Sequence, residues 1–71
     1  MNDLAPRLEA ALRNEPFEEI ERVSGLAASY ARSTGEAAFR GDETTMVAAL
    51  QQLRICVIHM IRTYKDFLEP K

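Results

Sequence analysis

The chain has 71 residues, 46% hydrophobic and 28% charged, with nine Lys+Arg against eleven Asp+Glu and a formal net charge of −2. That length excludes two ordinary domains, the balanced composition excludes a disordered or collagen-like chain, and a single cysteine excludes an internal disulfide framework. The longest uninterrupted apolar stretch, Met46-Val47-Ala48-Ala49-Leu50, falls far short of the ~20 residues of a membrane span.

Met1 leads into Asn2-Asp3-Leu4 without the basic and apolar segments of a secretory leader. The expectation is one cytoplasmic helical domain over residues 1–71, away from membranes. A chain of this size buries only about 60% of the surface its unfolded form exposes, so association is the natural remedy where disulfides are absent.

No sustained period-2 alternation marks a strand, and helix formers dominate. The first predicted helix covers about residues 4–13. Asp3 or Asn2 would cap it, Pro6 sits in its first turn, and Leu4, Leu8 and Leu12 make one narrow stripe. Ten residues with one stripe are weak alone, so this segment should dock or fray.

The second predicted helix covers about residues 16–40. Asn14 is its expected N-cap and Pro16 belongs to its first turn, where the missing N–H does no harm. Glu15, Glu18 and Glu19 suit the positive end of the helix dipole, and Glu18–Arg22, Arg32–Glu36 and Glu36–Arg40 are opposite charges at i,i+4. Gly25 and Gly35 weaken it, each by up to about 1 kcal/mol relative to Ala.

The third predicted helix covers about residues 43–68. Gly41 suits the left-handed end of the preceding helix, Asp42 suits the N-cap, and Pro70 marks the far end. So short a junction predicts antiparallel neighbours.

Hydrophobic spacing strengthens that expectation. Met46, Leu50, Leu53, Val57, Met60, Tyr64 and Phe67 recur at 4,3,4,3,4,3, a heptad seam. Phe17, Ile20, Ser24, Ala27, Ala31, Thr34 and Ala38 recur in the mirror order. Reflection about Asp42 pairs Phe17 with Phe67 and Ala38 with Met46, and sets small residues against large ones between Ser24 and Ala38.

Further apolar residues lie beside these seams: Val23, Leu26 and Tyr30 on the second helix, and Val47, Ile58, Ile61 and Leu68 on the third. A lone hairpin cannot bury them all, and a large apolar patch on a soluble protein marks an interface. These seven are the expected interface residues. The preferred arrangement is an all-α homodimer in which two hairpins build a four-helix bundle. The competing arrangements are a monomer capped by its own first helix and a complex with a different protein.

Chemistry-bearing residues are sparse. Cys56 and His59 at i,i+3 are half a zinc site, and neither a nucleophile elbow nor a phosphate loop is present. Glu15, Glu18, Glu19 and Glu21 read as dipole compensation. No catalytic residue, cofactor or metal is expected. Arg54, Arg62 and Lys65 form a modest basic group and carry the nucleic-acid alternative, although the acidic net charge and the lack of interleaved aromatics oppose it. Phe39, near the junction, is expected to close the end of the core. The expected function is non-enzymatic: a small homodimeric regulatory, adaptor or inhibitor module that binds a larger protein, such as a bacterial or phage modulator of a transcription regulator or assembly factor. A metal-binding protein or small enzyme built on Cys56 and His59 is a further alternative.

Overall fold

Two helices of unequal length meet at a two-residue junction. The computed structural model describes the backbone of residues 4–69 and the side chains of residues 15–69. Helix α1 runs Leu4–Arg40 and helix α2 runs Glu43–Leu68. They pack against each other as an antiparallel hairpin measuring 62 × 22 × 11 Å.

The junction is built from two caps. Gly41 takes φ +71°, a left-handed conformation that costs a side-chain-bearing residue about 1–2 kcal/mol. The Gly41 N–H donates to the Ala38 carbonyl at 3.1 Å and the Asp42 N–H to the Ala37 carbonyl at 2.8 Å. This Schellman pair satisfies carbonyls that α1 would otherwise leave bare. Asp42 then turns the chain into α2, its Oδ1 accepting from the Thr45 N–H at 3.1 Å. The hydrogen bond from Thr45 also holds the Asp42 carboxyl below its ordinary pKa.

One expectation is corrected. The segment read as a separate helix over residues 4–13 is the first part of α1, which continues through Pro16. Pro16 removes one backbone bond and crowds the carbonyl of Leu12, at a cost of about 3 kcal/mol in a helix interior. Asn14 and Pro16 nonetheless imitate a helix start, which is why they suggest a break. At about 1.5 Å per residue α1 is roughly 55 Å long and α2 roughly 39 Å. Phe17 lies opposite Phe67, so residues 4–15 run on beyond the end of α2 rather than folding back over it. The Leu4, Leu8 and Leu12 side chains lie outside the described residues.

The core is thin. Val23, Ala27 and Cys56 form its centre, with Tyr30, Leu53 and Met60 packed around them. Among the described residues the others that are buried, Ala37 and Ala49, lie near the junction. With the half-buried residues, the facing positions are Ile20, Val23, Ala27, Tyr30, Thr34 and Ala37 on α1, and Met46, Ala49, Leu53, Cys56, Met60 and Thr63 on α2. Thr34 and Thr63 are tolerated there because each hydroxyl donates at 2.8 Å to its own helix, to the carbonyls of Tyr30 and His59.

The seam therefore keeps the expected register and takes a different face. Met46, Leu53 and Met60 are shared with the sequence reading. At the alternate positions Ala49, Cys56 and Thr63 replace Leu50, Val57 and Tyr64, which are exposed. On α1, Val23, Tyr30 and Ala37 replace Ser24, Ala31 and Ala38. Small residues of α2 thus accept the larger Val23 and Tyr30 of α1, and the bulkier set is turned outward. Phe39 is also corrected: it is 93% exposed and closes nothing.

Candidate functional site

The hairpin has two open edges of different chemistry. One is polar. Glu19 Oε2 lies 2.8 Å from His59 Nε2, and Arg22 donates to Glu19 from Nε and Nη2, both at 2.9 Å. These bonds from Arg22 and then His59 pull the Glu19 pKa down to about 2. The carboxylate only accepts, so the imidazole presents Nε2–H to it. This interhelical contact sets Glu19, Leu26 and Ser33 of α1 on the same edge as Gln52, His59 and Asp66 of α2.

The other edge carries the residues displaced from the expected seam. Phe17 of α1 meets Phe67 of α2 with ring centroids 5.6 Å apart, and Tyr64 lies beside Phe67 at 6.4 Å. Along α2 this edge reads Val47, Leu50, Arg54, Val57, Ile61, Tyr64 and Leu68, spaced 3,4,3,4,3,4. That is a second heptad stripe, lying entirely in the open. Its six apolar members are 40–61% exposed. Arg54 interrupts the stripe, but an arginine keeps its aliphatic stem on an apolar surface while its head reaches water. Along α1 the same edge reads Ser24, Ala28, Ala31, Gly35 and Ala38, spaced 4,3,4,3, all exposed.

A Cβ added at Gly35 would meet nothing within 4 Å. The Ser24 hydroxyl is already bonded to the Glu21 carbonyl at 2.7 Å, so the α1 stripe presents no unsatisfied side-chain donor. Six side chains of about 200 Å2, half bare, leave on the order of 600 Å2 of apolar surface on α2, at the top of the range for the largest patch on an ordinary monomer.

The residues expected at an interface divide between the two environments. Val23 is 4% exposed and Tyr30 is packed beside it, so both serve the hairpin core. Ile58 is half-buried. Leu26, Val47, Ile61 and Leu68 are exposed, Leu26 on the polar edge and the other three on the apolar one. Leu50, Val57 and Tyr64, which heptad spacing assigns to the core, lie on the surface. The signal for this is the 3,4 spacing from Val47 to Leu68, interrupted at Arg54.

The chemistry-bearing residues are dispersed. Cys56 is a buried free thiol in the core, and His59 faces the polar edge toward Glu19. Among the described residues no group of three His, Cys, Asp or Glu side chains could hold a metal ion. Arg54, Arg62 and Lys65 are all exposed. They spread around the outside of α2, with Arg54 inside the apolar stripe. A recess lined by Glu15, Glu18, Glu19, Arg22 and Asp66 at the open end is shallow and open to solvent.

By length and composition, α2 is also apolar enough to cross a membrane. No protein-family model, curated protein or solved structure matches the chain.

Proposed function

We propose that this chain is a non-enzymatic helical module that pairs with itself and presents the resulting bundle to a larger protein, as a regulator, adaptor or inhibitor does. One observation carries the reading: the exposed heptad stripe of α2, from Val47 to Leu68, open in the single chain. Heptad spacing of large apolar residues is the pattern one helix uses to bury against another. The thin core gives an independent reason. Among the described residues only five are buried, few for a chain that must offset its conformational entropy alone.

A protein surface is a better home for this stripe than a bilayer. A spanning α2 would carry Gln51, Gln52, Arg54 and His59 to mid-depth, and α1 alongside exposes Glu18, Arg22, Arg32 and Glu36. Each mid-depth charge costs about 2.5–3.5 kcal/mol even on the lenient insertion scale. Pairing with a second copy covers the stripe without that cost and leaves Phe39 and Ile55 bare on the outside, where an aromatic and a large aliphatic side chain can anchor a further protein.

Sedimentation equilibrium tests the reading. The wild-type chain is expected to be a dimer, and Ile61→Glu to weaken association about tenfold or more while circular dichroism stays helical. A wild-type chain that sediments as a monomer at the highest concentration reached, or an Ile61→Glu dimer of unchanged affinity, would overturn it.

A further inference from the structure

We infer the geometry of self-association: each α2 lays its large stripe into the small-residue stripe of the other copy's α1, about a two-fold axis parallel to the helices. This rests on the homodimer reading above and specifies it. Both halves of a complementary surface lie on one edge of one chain. Large residues Leu50, Val57, Ile61 and Tyr64 stand on α2, and Ser24, Ala28, Ala31, Gly35 and Ala38 stand on α1. A two-fold interface requires a patch that complements itself, and this one does. That is why the occupant is a second copy rather than a foreign helix.

Two face-to-face pairings are geometrically available. A two-fold axis across the helices would place α2 on α2 and α1 on α1. Large side chains would then meet large ones in one half of the interface, and Ala, Ser and Gly would meet their like in the other. Helix axes separate by 8–10 Å according to the side chains between them, so the two halves would demand different spacings and leave a void over α1.

An axis along the helices gives large on small throughout. It preserves height along the bundle, so the in-chain register carries over to the second copy. Within one chain Ala27 and Cys56 share a level, as do Phe17 and Phe67. Leu50 of one copy therefore comes to Gly35 and Ala31 of the other, Val57 to Ala28, and Ile61 to Ser24. Neighbouring helices are antiparallel in both the intrachain and the interchain contacts, as in an up-and-down bundle.

The area is adequate. The α2 stripe alone offers on the order of 600 Å2. With the α1 stripe, each copy approaches the roughly 800 Å2 per partner of a standard stable interface.

Site-directed cross-linking tests the geometry. In a Cys56→Ala background, chains carrying Ala28→Cys and chains carrying Val57→Cys are refolded together and treated with a short bifunctional maleimide. The expected product is a mixed 28–57 dimer, with little product from Val57→Cys alone, because the two α2 helices lie diagonally, about 13 Å apart for neighbours spaced 8–10 Å. Dominant 57–57 cross-linking would overturn the geometry and leave the homodimer reading intact. A dimer by sedimentation that gives neither product would do the same. A monomer would defeat both. If the Cys56→Ala background does not fold, isotope-filtered NOEs in a mixture of labelled and unlabelled wild-type chains replace it. Cross-peaks from Val57 methyls to Ala28 or Ala31 methyls of the other copy are expected, and Val57-to-Val57 cross-peaks without them would overturn the geometry.

Discussion

Phe17 and Phe67 meet edge to face across the open end of the hairpin, with ring centroids 5.6 Å apart and planes inclined at 62°. They stand fifty positions apart in sequence and are the last large pair before α1 runs on alone. Both remain partly exposed, so the contact ties the end of α2 to the shaft of α1 without forming a sealed core. Such aromatic pairs contribute about 0.5–1.5 kcal/mol beyond the area they cover.

A double-mutant cycle on these rings measures the tie. Phe17→Ala and Phe67→Ala should each lower stability to chemical denaturation by about 1–2 kcal/mol, less than a fully buried phenylalanine would, because each ring keeps part of its surface wet. The cycle should return a coupling of about 0.5–1.5 kcal/mol. Additive losses would mean that the rings act separately.

Two of the glycines, Gly25 and Gly41, respond in opposite directions to alanine. Gly41 is left-handed at φ +71°, so Gly41→Ala should destabilise the hairpin by about 1 kcal/mol. Gly25 lies inside α1 with nothing within 4 Å of an added Cβ. Gly25→Ala should therefore stabilise the protein by up to about 1 kcal/mol through helix propensity. Opposite shifts in denaturation midpoint check the pair.

Much of the architecture was legible from local signals. Gly41-Asp42 carries the chemistry of a helix stop followed by a helix start, and the hairpin and its register follow from it. The face of each helix was not legible, for a definite reason. The heptads 46-50-53-57-60-64-67 and 46-49-53-56-60-63-67 share alternate members, so hydrophobic spacing supports either. The first has the larger side chains and reads as the core. Packing against Val23 and Tyr30 favours the second, with its Ala49, Cys56 and Thr63. The candidate interface was consequently half legible: Val47, Ile61 and Leu68 stood beside the seam in the sequence, whereas Leu50, Val57 and Tyr64 were hidden by assignment to the core. The continuity of α1 was obscured by Asn14 and Pro16, whose local chemistry favours a helix start.

Gly35 separates folding from association. A side chain there meets open space in the single chain, so Gly35→Leu should preserve the helical hairpin and raise α1 helicity. In the paired bundle the same side chain occupies the slot that receives Leu50 of the other copy, and self-association should weaken about tenfold or more. Sedimentation beside circular dichroism reads both quantities. A Gly35→Leu chain that pairs as tightly as wild type would place the contact elsewhere.

The polar edge predicts an acid-sensitive tie between the helices. Glu19 is held down to about 2 from an ordinary value of 4.5, first by its hydrogen bond from Arg22 and then by that from His59. A carboxyl with a depressed folded-state pKa binds its proton more readily in the unfolded chain. Its contribution is therefore complete above about pH 4.5 and disappears as the pH falls toward about 2. Wild-type stability should decline across that window. In Glu19→Gln this component of the decline should vanish, leaving a flatter curve that starts lower at neutral pH. Both partners at Glu19 are partly solvated, so salt should shrink the difference between the two proteins. Thermal denaturation at matched ionic strength from pH 2 to pH 7 provides the comparison. Parallel curves for Glu19→Gln and wild type would remove Glu19 as the link between α1 and α2.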